Sequence, residues 1–338
     1  MSNILIIGDG GWGTALALLL EKNNKAKVKI WSAFPENAEN FNKHRENTLF
    51  LPGVKIPETI RFITEPEKAV DEIDLAVFAV PSRFLSQVLP KFSKIIPHNA
   101  GLVSVIKGFD PQYETRISET ITREFTHHSV AVLSGPSHAE EVARGVPTAV
   151  VLASSDNSFA RKMQTLFSTA TFRIYTSSDV CGVELGGALK NIIAIAAGIS
   201  DGLGFGDNTK AALLTRGLAE IIRLGVALDA EQSTFSGLSG IGDLVVTCTS
   251  RWSRNRSLGE RIGKGENIKQ IFSSTKQVAE GATTCLTARK IARKFSIPLP
   301  ITEEVYSVIY ENKKPMDAVS ALLNRELKPE REQLERKK

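Results

Sequence analysis

The order strand, glycine turn, helix at the start of the chain constrains its fold more than any other feature. Asn3 to Ile7 is a short continuous apolar run, the pattern of a strand covered on both faces. GDGGWG follows, with Gly8, Gly10 and Gly13 in G-x-G-x-x-G spacing, and then the helical run TALALLLEK. Glycines there permit a tight turn and let a pyrophosphate approach the helix N-terminus, where unpaired amides and the macrodipole favour anions. The glycines alone would say little; their setting between strand and helix predicts a dinucleotide site.

Strand and helix patterns then alternate. Lys27–Trp31, Leu75–Val80, Leu102–Ile106 and Val130–Leu133 read as strands, with helices over Phe84–Phe92 and Glu114–Phe125. Ala149–Ala153 and Thr171–Tyr175, either side of a helix at Ser158–Phe167, extend the series. Such alternation predicts an α/β fold, a doubly wound parallel sheet of Rossmann type. From about Asp179 strand patterns vanish, and helical periodicity recurs in Val183–Ser200, Ala211–Leu228, Thr283–Lys294, Ile301–Tyr310 and Pro315–Asn324. At 338 residues the chain exceeds what one core usually fills. We therefore expect a Rossmann domain over residues 1–178, an all-α domain over residues 179–328, and a charged, disordered tail over residues 329–338.

The helix Val183–Ser200 (VELGGALKNIIAIAAGIS) is apolar nearly all round, yet carries Lys190 in its middle, followed by Asn191. Either the lysine snorkels from a surface helix, or it is buried and tuned for proton transfer. On the second reading, Gly186, Gly187 and Ala194 leave room beside it for a ligand. Lys107 directly follows a strand, where it either points into the ligand crevice or sits on an exposed loop. In SGPSHAEE, His138 is a candidate acid or base, but Ser137 as a cap with Glu140 and Glu141 in the first turn fits a helix entry better. Asp243 opens a helix-like segment, and Ser253-Arg254-Asn255 lies beyond it. An arginine among small donors suits a phosphate dianion; the plain alternative is a solvated basic loop of Arg251, Arg254, Arg256 and Arg261. The glycine-rich SDGLGFGDN (Ser200–Asn208) is a close-approach loop or an ordinary turn.

After the second strand the chain gives Ser32, Ala33 and Phe34, with Glu36 slightly late for a ribose-binding acid. NAD versus NADP stays open, the lack of lysine or arginine there leaning towards NAD. The net charge of +5 fits a small anionic ligand as well as nucleic acid. Trp252 alone does not supply the aromatic interleaving of single-strand binders, so nucleic acid is not expected. Cys181, Cys248 and Cys285 show no paired or metal-site spacing, which indicates free thiols, a reducing compartment and no metal. No basic region precedes the first apolar run, and no segment approaches the roughly 20 apolar residues of a membrane span, so a cytoplasmic protein without membrane insertion is expected.

Together GDGGWGTALA, the His44–Gly53 stretch, Lys107–Gly108, SGPSHAEE, VELGGALKNIIAIAAGISDGLG, NTKAALLTRGLAE, SGLSGIGDLVVTCTS, SRN and VAEG resemble the NAD(P)-dependent glycerol-3-phosphate dehydrogenase family, from Ile4 to about Leu323. The resemblance implies reversible hydride transfer between sn-glycerol 3-phosphate and dihydroxyacetone phosphate, in a homodimer, supplying glycerol 3-phosphate for phospholipid synthesis. It makes Lys190 the general base, with Lys107 orienting the substrate oxygen and Asp243 and Asn191 holding the geometry. Ser253, Arg254 and Asn255 take the phosphate; Gly135 and Ser137 line the substrate site. Gly8, Gly10, Gly11, Trp12, Gly13, Phe34, Lys107, Ala139, Arg254, Val278 and Glu280 surround the cofactor. The chain departs from the bacterial pattern at Asp9 and Gly11, where alanine and serine are usual, and at Ile106. A carboxylate at position 9 costs pyrophosphate affinity if it points inward and is harmless if it points outward. A 6-phosphogluconate or β-hydroxyacid dehydrogenase matches the surroundings of Lys190 and Arg254 poorly. A nucleotide-sensing protein without turnover would not need Lys107, Lys190 and Asp243 together.

Overall fold

A computed structural model describes residues 2–23, 26–274, 279–327 and 329–330. Val278 and most of the expected tail, residues 331–338, lie outside the described residues. The chain packs as two units, Met1–Ile106 with Thr115–Val180, and Lys107–Glu114 with Cys181–Lys338.

The main sheet lies in the first unit and is built from β1 Ser2–Ile7, β2 Ala26–Trp31, β3 Arg61–Ile63, β4 Leu75–Phe78, β5 Gly101–Ser104, β6 Val130–Ser134, β7 Thr148–Ala153 and β8 Phe172–Ser177. They form one sheet in the order β8-β7-β6-β5-β4-β1-β2-β3. Its helices include α1 Gly11–Lys22, α2 Pro35–His44, α3 Leu85–Phe92, α4 Ile117–Glu124, α5 Ala139–Ala143 and α6 Asn157–Phe167. Alternation along β1 shows why its apolar run is unbroken: each face meets a separate core. Ile4 and Ile6 join the core containing Leu16 and Leu20 of α1 and Phe167 of α6. Leu5 and Ile7 join the core containing Leu89 and Phe92 of α3 and Ile121 of α4. Full burial of each such side chain contributes about 1.5–3 kcal/mol.

The expected doubly wound parallel sheet is present, with one antiparallel pairing. β7 and β8 do extend the sheet and run parallel to each other, but β7 is antiparallel to β6, with Val132 opposite Ala153 and Ser134 opposite Val151. The connection explains this. Its only helix is α5, five residues and so about 7.5 Å long. A parallel return would have to span a strand of about 20 Å.

The second unit is built on α7 Val180–Gly202, α8 Asp207–Ala227, α9 Asp243–Thr249, α10 Arg254–Gly263, α11 Glu280–Lys294, α12 Pro300–Tyr310 and α13 Pro315–Leu323. α7 corrects one expectation: at 23 residues with mean hydropathy 1.5 over its most apolar window, it is long and apolar enough to cross a bilayer by length and composition. That window is 83% buried inside the protein, so packing accounts for its hydropathy. Much of the packing is glycine against backbone. A Cβ on Gly198 would fall on the Arg256 carbonyl oxygen, and one on Gly259 on the Ile195 carbonyl oxygen, with Gly202 and Gly263 equally close one turn along. Small residues four apart let α7 and α10 meet main chain to main chain.

Candidate active site

Lys190 lies on the buried side of α7, only 5% exposed, which excludes the snorkelling reading. Its ammonium donates to Asp243 Oδ1 and, at 2.6 Å, to Thr247 Oγ1. Asp243 is the first residue of α9 and Thr247 sits one turn later, its hydroxyl donating to the Asp243 carbonyl at 2.6 Å. The second carboxylate oxygen of Asp243 accepts from Lys107 Nζ at 2.8 Å. A buried carboxylate is thus held between two ammonium groups.

Gly186, one turn before Lys190, has a different use from the one its sequence suggested. Gly186 does not leave room for a ligand: a Cβ there would strike the carbonyl oxygen of Ser239. Ser239 belongs to a wide π-type turn, Leu238–Gly242, that leads into α9. Gly186 is four residues before Lys190, and Ser239 is four before Asp243. The close contact of Gly186 with Ser239 thus lies four residues before the Lys190–Asp243 pair on both segments.

Burial pushes the Lys190 amine down, Asp243 opposes the fall and Lys107 adds to it, leaving the group at about 7. Burial would raise the Asp243 carboxyl, but Lys107 and Lys190 more than reverse this and hold it below the ordinary carboxylate range. The neighbouring Cys248 thiol is pushed up to about 12, chiefly by burial, and is inert as a nucleophile.

Asn191 and Asn255 form a second buried pair. Asn255 Nδ2 donates to Asn191 Oδ1 at 2.9 Å, and Asn255 Oδ1 accepts from the Gly281 amide at 2.9 Å. Helices α7, α10 and α11 are thereby pinned at one point. The basic stretch is a helix start rather than a solvated loop. Ser253 caps α10, its hydroxyl accepting from Arg256 N at 3.2 Å. Arg256 pairs with Asp201 at 2.7 Å, Arg261 with Glu266 at 2.7 Å, and Arg251 stacks on Trp252 at 4.9 Å. Arg254, exposed at the first position of α10, enters no ion pair among the described residues. Glu280 is half-buried at the first position of α11. The Ser200–Asn208 stretch is the end of α7, an ordinary turn with Gly204 at φ +78°, and the start of α8.

In the first unit a second set gathers around the glycine turn. Gly8 has φ +126°, and a Cβ there would lie 2.8 Å from the Ala79 carbonyl carbon, so only glycine serves. Gly10 precedes α1 without a capping side chain, α1 has no acid in its first turn, and a Cβ on Gly10 would meet nothing within 4 Å. Gly13 packs on the Gly8 carbonyl oxygen, and Gly11 faces Phe50 O and Ala139 Cβ. Trp12 Nε1 is buried without a hydrogen-bond partner among the described residues. Phe34, 53% exposed, stands just beyond β2. An open approach to an uncapped helix start, with an exposed aromatic at the end of the next strand, fits a dinucleotide's pyrophosphate and base. Asp9 does not oppose it, because its side chain turns towards Ser32 and Asn37.

Gly135, at φ +133°, packs against Val150 in the same unit. Ser137 does not cap the following helix as expected. Its hydroxyl donates to the Gly135 carbonyl at 2.9 Å, and His138 takes the N-cap position without its side chain capping the helix. Ala139 is the first residue of α5. Two supporting residues fall inside stretches that carry the family resemblance but are not singled out by the sequence. One is Thr247; the other is buried Asn47, whose amide donates to Asp9 O at 2.8 Å and Thr14 Oγ1 at 2.9 Å.

The models of two protein families match in tandem: the N-terminus of NAD-dependent glycerol-3-phosphate dehydrogenase over residues 3–160, and its C-terminus over residues 179–320. The chain belongs to this family. It is 47% identical over 325 residues to the NAD(P)+ glycerol-3-phosphate dehydrogenase of Pelotomaculum thermopropionicum, covering 95% of this chain and 93% of the relative. Identity to that of Chlorobium phaeobacteroides is 47% over 330 residues, covering 97% and 98%. The crystal structure of glycerol-3-phosphate dehydrogenase from Coxiella burnetii superposes with a TM-score of 0.93 at 36% identity, covering 96% of this chain and 99% of that one. A ketopantoate reductase from Ralstonia eutropha shares the fold alone, at 14% identity and a TM-score of 0.59 over 94% of this chain and 99% of that one.

Proposed function

We propose that the protein interconverts sn-glycerol 3-phosphate and dihydroxyacetone phosphate by hydride transfer with NAD(P). The observation that carries this reading is Lys190, a buried amine held near neutrality between Asp243 and Thr247. Bound nicotinamide supplies the two-electron acceptor or donor. In oxidation, neutral Lys190 takes the hydroxyl proton as the C–H bond gives up its hydride. In reduction, the Lys190 ammonium returns that proton to the carbonyl oxygen. Lys107 directs the substrate oxygen and, through Asp243, fixes the lysine's position; its charge stabilises developing alkoxide.

Arg254, with Asn255 and the Ser253 hydroxyl, is assigned the phosphate, since a guanidinium can hold two oxygens at once. Asn191 orients Asn255, and Gly135 and Ser137 line the substrate site. Gly8, Gly10, Gly11, Trp12, Gly13, Phe34 and Ala139 are assigned to the cofactor, together with Lys107, Arg254, Val278 and Glu280. The first unit is then the dinucleotide domain and the second the catalytic one. Family membership supports a cytoplasmic homodimer that feeds phospholipid synthesis.

The test is nicotinamide absorbance with dihydroxyacetone phosphate, for the wild type and Lys190→Ala. Turnover by the wild type and a loss of about 10²–10⁴-fold in kcat for the variant are expected. A variant that keeps most of its kcat would show that another group moves the proton.

A further inference from the structure

We infer that Asp9 selects the cofactor: it reads the adenosine ribose and turns away a 2′-phosphate, so the enzyme uses NAD(H). The inference rests on the dinucleotide reading above. In folds of this kind the 2′-hydroxyl is commonly held by an acid at the end of the second strand, and a 2′-phosphate by an arginine nearby. Here that position is Ser32, buried and without charge. The structure supplies the missing carboxylate from the glycine turn. Asp9 Oδ2 accepts from Ser32 Oγ at 2.7 Å and from Asn37 Nδ2 at 3.2 Å, the latter in the first turn of α2.

The placement is fixed from several sides. The Asp9 carbonyl accepts from Asn47 Nδ2 at 2.8 Å, and the Gly8 amide donates to Trp31 O at 3.0 Å, tying the turn to the end of β2. Ser32 is held in turn, its amide on Ile63 O at 2.9 Å and its hydroxyl accepting from Phe34 N at 3.2 Å. With Oδ2 engaged twice, Oδ1 has no hydrogen-bond partner among the described residues and is left to accept from a ribose hydroxyl. No lysine or arginine occurs from Ser32 to Asn42 to balance a phosphate. The uncapped start of α2 offers amides, but Glu36 in its first turn places a second carboxylate against any dianion there.

The experiment is calorimetric binding of NADH and NADPH, without substrate, to the wild type, Asp9→Ala, Asp9→Asn and Glu36→Gln, at low and high salt. The wild type should bind NADH about tenfold or more tightly than NADPH, as like-charge repulsion at a half-exposed site requires. Asp9→Ala should bring the two constants within about threefold, mainly by tightening NADPH. Asp9→Asn keeps the shape and the contacts to Ser32 and Asn37 while removing the charge, so it should behave alike and answers the question if the alanine variant folds poorly. High salt should narrow the wild-type preference. Equal wild-type constants, a preference for NADPH, or a preference moved by Glu36→Gln and not by either Asp9 variant would overturn the assignment. Failure of the wild type to bind either nucleotide would instead remove the dinucleotide reading, and this inference with it.

Discussion

At the scale of single residues, Lys190 has a consequence that can be read in pH profiles. A base must be neutral to accept a proton, and this one loses its own at about 7. kcat for alcohol oxidation should rise through that value and level off above it, while kcat for carbonyl reduction should fall over the same range. Both are measured at saturating substrate; profiles flat from about pH 6 to pH 8 would count against Lys190 as the proton carrier. Thr247→Val removes an acceptor from the ammonium and should move both inflections downward. Lys190 was legible in the sequence because a charge in a nearly unbroken apolar run demands a reason. Thr247 was not, since a threonine in LVVTCT is indistinguishable from helix filler until α9 is docked. Nor could the sequence show which way Asp9 turns, because its partners Ser32 and Asn37 become neighbours only when β2 pairs with β1.

At the scale of elements, α8 and α12 are joined by a buried carboxylate. Glu220 accepts from the amides of Ile301 and Thr302 at 2.5 and 3.2 Å, capping a helix that lacks a cap of its own. Burial pushes its pKa up from 4.5 to about 7. The folded state then binds more protons than the unfolded state between these values, so this group's contribution to stability is lost as pH rises from 4.5 to about 7. In Glu220→Gln that slope should disappear from urea midpoints measured across the window; a slope equal to the wild type's would rule the carboxylate out as its source. What the sequence told of the elements follows the same division between local and distant causes. β1, the glycine turn and α1 were visible because their periodicity is local. The direction of β7 was not, since it is decided by how far α5 can carry the chain. β3, three residues long, is too short to show any period.

At the scale of the molecule, each unit has apolar cores of its own, drawn from its own residues. Lys190 is in the second unit and is not among the residues assigned to the cofactor. Lys190→Ala leaves the Lys107–Asp243 contact in place and should therefore bind NADH with a dissociation constant within about twofold of the wild type's by calorimetry. A large loss would mean that Lys190 helps to hold the nucleotide. The crossing of α7 and α10 sets a different kind of limit. These helices meet through peptide groups at Gly198, Gly202, Gly259 and Gly263, and they carry Lys190 and Asn255 respectively. At these four positions main chain meets main chain, and a Cβ added at any of them would strike backbone of the facing helix, so the spacing between those two residues acts as a gauge of fixed length. Redesign for a shorter substrate cannot bring the two helices closer there, because backbone already meets backbone.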